Sequence, residues 1–144
     1  MAIILGTGTF NTGRDCQVIV IGPNGKLQID NITEFEIDPV FTSIKVDRLD
    51  GVQMNAQLPK GGSGHIAFER SGPAIDQFFA DLESTWYQQG VYRVGTIDQY
   101  ITEPNGSSAW SHTNIAMTWK PGIWRGDQSV KTTISFMYDR RLAI

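Results

Sequence analysis

Three side chains suit nucleophilic or metal chemistry, Cys16, His65 and His112, and one row suits acid–base chemistry, Glu34, Glu36 and Asp38. A thiol and two imidazoles could form a nucleophile–base pair or supply three ligands to a soft metal. No local motif joins them, so Cys16 is expected to be a small packing residue. The carboxylates alternate with Phe35 and Ile37, which places them together on one face of a strand. Catalytic carboxylates need environments that push their pKa values apart, and a ladder of like charges on a wet face does not provide them. Gly6-Thr7-Gly8-Thr9-Phe10-Asn11-Thr12-Gly13 approximates a dinucleotide-binding turn, but Asn11 stands where a third glycine is needed and no helical period follows. In Pro59-Lys60-Gly61-Gly62-Ser63-Gly64 the lysine precedes the glycines, the reverse of a phosphate-binding loop. Asn31-Ile32-Thr33 and Asn105-Gly106-Ser107 match glycosylation sequons, a short pattern with no sign of secretion beside it. The expectation is therefore no enzyme, no cofactor and no metal.

Composition narrows the partners. A chain of 144 residues with 40% hydrophobic content fits one self-sufficient domain. A net charge of −3 without a run of Lys or Arg argues against gripping nucleic acid by its phosphates. One cysteine permits no internal disulfide, and no apolar run reaches membrane-spanning length. Met1 to Leu5 is too short and lacks the basic flank of a signal peptide, so synthesis is expected in the cytoplasm, with no membrane contact.

One stretch has helical spacing. Ile75, Phe78, Phe79, Leu82 and Trp86 form a single apolar stripe, with Asp76, Gln77, Asp81, Glu83 and Gln88 in the other directions. The spacing predicts a helix over 72–89, capped by Ser71 or Gly72, with Pro73 in the first turn and Gly90 ending it left-handed. Three rings on that stripe require a sheet to cover them.

The remaining chain reads as strands and turns. Residues 1–15 form a glycine-rich extended arm, followed by a strand from Cys16 to Ile21, a turn at Gly22-Pro23-Asn24-Gly25 and a return from Lys26 to Ile29. A strand from Ile32 is broken by Asp38-Pro39. Residues 39–63 then form a projecting hairpin turning at Asp50-Gly51, with its glycine-rich return read as a flexible hinge. His65 to Arg70 buries Ile66 and Phe68 and feeds the helix. Strands are expected from Val91 to Ile101, Thr113 to Lys120 and Val130 to Tyr138, the last with Val130, Thr132, Ile134, Phe136 and Tyr138 on one face. Arg140-Arg141 reads as a basic end. The expected architecture is mainly β and antiparallel, a barrel or sandwich with one helix. Its expected core is Phe35, Ile37, Phe68, Ile75, Phe78, Phe79, Leu82, Trp86, Ile134 and Phe136.

The order of these elements, with Val46-Asp47-Arg48-Leu49-Asp50-Gly51, Gly64-His65-Ile66-Ala67-Phe68-Glu69-Arg70 leading into Ala74-Ile75-Asp76-Gln77-Phe78-Phe79, and the closing Val130-Lys131-Thr132-Thr133-Ile134-Ser135-Phe136, resembles the tail tube proteins of contractile-tailed bacteriophages. That fold is shared with the haemolysin-coregulated tube protein of type VI secretion. The resemblance spans the whole chain and implies a virion structural protein in stacked homohexameric rings, with a β-barrel bore and the helix outside it. It implies sheath and baseplate proteins as partners, a place in the virion tail, and DNA passing through the bore during ejection without specific binding. The same fold serves in baseplate-side rings that start the tube or join it to the hub. A small-ligand-binding β-barrel is the alternative of another class. On the tube reading, Glu34, Glu36, Asp38, His65, Glu69 and Lys131 line the bore. Phe10, Arg14, Asp15, Arg48, Asp50 and Lys60 make contacts between rings.

Overall fold

A computed structural model of the chain describes residues 3–5, 8–10, 13–22, 25–27, 29, 31–91, 95–103 and 106–144. Two short strands, β1 (Ile3–Leu5) and β2 (Gly8–Phe10), pair antiparallel with each other. The N-terminal stretch is thus folded back on itself rather than extended, each strand satisfying the other's backbone groups. A 3-10 turn (Gly13–Asp15) leads into β3 (Cys16–Gly22) and β4 (Gly25–Leu27). Pro23 and Asn24 of the expected turn lie outside the described residues.

The long pair β5 (Ile32–Asp47) and β6 (Gln53–Glu69) is antiparallel throughout. Pro39 does not break β5, as the sequence suggested. It lies in the edge strand, next to a bulge at Pro39/Phe41, where a missing N–H costs no ladder bond. Nor is the glycine-rich return a hinge. Gly61 takes a φ of +71° at the bulge, and a Cβ at Gly62 or Gly64 would run into the rings of Tyr138 and Phe136, so those glycines keep the strand paired with its neighbours.

After β6 the helix α1 (Ala74–Gln89) begins at Pro73, with no side-chain cap from Ser71 or Gly72, and ends at Gly90 with a φ of +66°. Then come β7 (Gly95–Glu103), β8 (Gly106–Lys120), β9 (Lys131–Tyr138) and β10 (Arg140–Ala143). β8 begins earlier than its apolar alternation indicates. The basic end is itself a strand, pairing with β8.

The strand order is β4-β3-β7-β8-β9-β6-β5, an open sheet in which β8 belongs to two halves. Its first half pairs with β7 and β10, its second with β9. The corner is built from a bulge: Ile97 faces His112 and Gly95 faces Ile115, which leaves an extra residue in β8, and Asn114 has a φ of 51°. Asp139, between β9 and β10, clamps that bulge by accepting hydrogen bonds from Thr113 Oγ1 at 2.6 Å and Asn114 Nδ2 at 2.5 Å. These two bonds hold its carboxyl below the usual carboxylate range.

Both halves of the sheet contribute to one core: Val20, Leu27 and Ile97 from one, Ile66, Phe68, Ile134 and Phe136 from the other. The helix closes it with Ile75 and Phe79, and Phe79 stacks on Trp119 with ring centroids 4.9 Å apart. Phe35, Ile37, Phe78 and Leu82 are partly buried against this core. Trp86 departs from expectation: it is 52% exposed, because the last helical turn carries its stripe beyond the residues that cover Ile75 and Phe79.

Candidate functional site

The strands β5, β6, β9 and β8 form a four-stranded sheet with two unlike faces. Phe35, Ile66, Ile134 and Trp119 oppose one another across it and point into the core. One residue along every strand, the side chains point the other way. The cross-strand rows there are Glu34–Ala67–Thr133–Lys120, Glu36–His65–Ser135–Thr118 and Asp38–Ser63–Met137–Ala116. Glu69 and Lys131 face each other at the end of the same surface.

All six residues expected on one wall share this face by register, and four of them, Glu34, Glu36, His65 and Lys131, are joined by side-chain distances as well. His65 lies between two carboxylates, with Nε2 3.6 Å from Glu34 and Nδ1 3.6 Å from Glu36, and Lys131 Nζ is 3.6 Å from Glu34. Asp38 sits further along β5, opposite Ser63. Lys120 belongs to the wall and was overlooked; period two in β8 carries it from Thr118, so the signal was present. Four carboxylates on this face meet two ammonium groups, an excess of two negative charges with His65 neutral.

The sheet has two edges with no partner strand among the described residues, β5 on one side and the second half of β8 on the other. Such edges present rows of open backbone donors and acceptors. Beyond Pro39 the β5–β6 pair leaves the body as a ribbon whose side chains are exposed from Val40 to Lys60. Here the amphipathic pattern inverts. The positions of β5 that carried acids now carry Val40, Ile44 and Val46, facing Ala56 and Met54, while the formerly apolar positions carry Ser43, Lys45 and Asp47.

At the ribbon's tip Arg48 and Asp50 are brought together at 2.9 Å, and Asp50 Oδ1 accepts from Val52 N at 3.0 Å. Lys60 is exposed at its base. Asp15 does not join them: it is buried at 2% exposure where the 3-10 turn meets β7, which removes it from the expected contact set. The side chains of Phe10 and Arg14 lie outside what the structure describes.

Cys16, His65 and His112 are not assembled. Cys16 accepts a hydrogen bond from Gln99 Nε2 at 3.4 Å in a cleft beside β3, and His65 is on the polar face. His112 is fully buried, its Nδ1 3.2 Å from the carbonyl of Ile97 and its ring edge-on to Tyr138. Burial lowers the His112 pKa, and it raises that of Tyr138. Among the described residues no group of three or more His, Cys, Asp or Glu is placed to hold a metal, and no helix is long and apolar enough to cross a membrane.

No protein-family model and no curated protein sequence matches this chain. Solved structures do. The tube-terminating cap of the anti-feeding prophage superposes with a TM-score of 0.65 at 14% identity, over 99% of this chain and 95% of the other. The sheath/tube terminator of the extracellular contractile injection system PVC gives 0.63 at 13% identity, over 89% and 93%. The SPP1 tail tube gives 0.56 at 13% identity, over 92% and 77%. The chain has the fold of tail-tube and tube-terminator proteins.

Proposed function

We propose that this chain is a structural subunit of a tail tube, assembled as stacked homohexameric rings whose bore is lined by the polar face of the β5-β6-β9-β8 sheet. The observation that carries this reading is the sheet itself, polar on one face, cored on the other and open at both edges. Because four antiparallel strands alternate in direction, β8 of one copy meets β5 of the next antiparallel, and a ring closes with no edge left. Charge supports that seam: the row that begins with Glu34 at one edge ends with Lys120 at the other. The net acidic wall suits a conduit for DNA, since it offers no net cationic surface to displace the counterions condensed on the phosphates. Screening over about 8 Å at physiological salt keeps the repulsion local, so passage is not blocked.

The ribbon supplies the contact between rings. A two-stranded hairpin is marginal alone in water, and the exposed apolar side of this one calls for a neighbour. The helix, outside the barrel, turns Asp81 and Glu83 outward, toward a sheath. Baseplate proteins meet the tube at its end, and the particle is a virion tail.

Light scattering after size exclusion, with negative-stain microscopy, tests this. Rings that stack into tubes are expected. Rings that never stack would instead assign the chain to a capping or starting ring, the reading favoured by its likeness to a terminating cap. A concentration-independent monomer that takes up an apolar fluorophore would overturn both and point to a ligand-binding barrel.

A further inference from the structure

An open cleft of about 790 Å³ lies between β3–β4 and the free edge of β5. Val18, Leu27, Ile29, Ile32 and Phe35 line its apolar part, with Cys16 at its wall and Lys26 and Glu34 among its polar lining. At the opposite edge of the sheet, β8 runs out into the loop 121–130, where Ile123 and Trp124 are 67% and 68% exposed. Trp124 is not loosely held: the Arg70 guanidinium lies 5.1 Å from its ring centre, and Arg70 is itself paired with Asp76 at 2.5 Å.

The two features stand at the same end of the sheet. Lys120, the last residue of β8, ends the cross-strand row that Glu34 begins near the start of β5, so Pro121 to Trp124 follow β8 at the end of the sheet where β5 starts, on the opposite edge. When β8 of one copy is laid antiparallel along β5 of the next, the end of β8 that leads into the exposed Ile–Trp pair comes to the start of β5, which borders the neighbour's cleft. We infer that Ile123 and Trp124 are the anchor of the subunit–subunit seam, seated in the cleft between β3–β4 and β5 of a second copy of this chain. A buried tryptophan in an apolar pocket is the usual bearer of interface energy, and backbone edge pairing alone gives little choice of register. The inference rests on the edge-to-edge ring proposed above.

The single native thiol supplies the test. In the full chain Trp124→Cys leaves Cys16 as the one other cysteine, and oxidation of assembled rings is expected to give a reducible ladder of covalent multimers. Adding Cys16→Ser should abolish the ladder. Intact rings without a ladder, or a ladder that survives Cys16→Ser, overturn the anchor and leave the ring standing. A wild-type chain that never forms rings overturns both. Should Trp124→Cys stay folded but unassembled, the wild-type chain decides through maleimide labelling of Cys16, expected to be about tenfold slower in rings than in dissociated subunits. Equal rates would overturn the inference.

Discussion

The two ends of the β5–β6 pair belong to one antiparallel ribbon with a bulge between them, yet one end is buried on one side and the other is exposed on both. From Ile32 to Pro39 the apolar side chains of β5 are Phe35 and Ile37, packed against Phe136 and the rest of the core. From Val40 to Asp47 the alternate positions carry Val40, Ile44 and Val46, and these are exposed, as is Phe41 on the original side. The change falls at the Pro39/Phe41 bulge, where β6 carries one residue more than β5 and the facing of the two strands shifts. The body half packs into the subunit's core, and the projecting half leaves its apolar side chains exposed, free for the contact between rings proposed above.

Substitutions can break that contrast. Phe79→Ala, in the core that the body half shares, should have the largest effect, a loss of about 3–5 kcal/mol in subunit stability from lost burial and the cavity left against Trp119. A thermal melt checks it, and an unchanged midpoint would show that the helix stripe is not core. Next is acid sensitivity. His112 is held neutral in the fold with its pKa lowered from 6.5, chiefly by burial, so the unfolded chain binds the extra proton. Stability is then full above pH 6.5 and falls as the pH drops below it, by at most about 1.4 kcal/mol per pH unit. Urea melts of dissociated subunits at about pH 7.5 and 5.5 measure this, and His112→Gln should flatten the difference. The smallest effect on the subunit belongs to the ribbon. Ile44→Thr with Met54→Gln should change its melting by no more than about 0.5 kcal/mol, the range of exposed positions, while abolishing stacking in micrographs. A large loss of stability there would mean that the ribbon's apolar side is covered within its own chain.

Much of this was legible because alternation is a strong signal wherever one face is buried. Thr132, Ile134, Phe136 and Tyr138 of β9 are all buried, as is Val130 just before it, and the stripe of α1 is buried at Ile75 and Phe79. Legibility failed where tertiary context replaced pattern. The first half of β8 hides a histidine at an aliphatic position and shifts its period at the Thr113–Asn114 bulge, so the alternation marks a strand only from Thr113. The strand at Arg140–Ala143 is too short and too exposed to alternate. Gly61 to Gly64 read as a hinge because the crowding that demands glycine comes from β5 and β9, distant in sequence. Within the site, the acids of β5 were readable by period two. Lys120 follows from Thr118 by the same period, but the Ile123–Trp124 pair was not readable, since a loop owes its significance to the edge it adjoins.

A cryo-EM reconstruction of the assembled particle addresses the seam most directly. The expected map has the Ile32–Asp38 edge of one subunit hydrogen-bonded antiparallel to the Ala116–Lys120 edge of the next, with Glu34, Glu36, His65 and Lys120 facing the central axis. A map with those edges unpaired, or with Glu34 and Glu36 on the outer wall or buried between subunits, would contradict it.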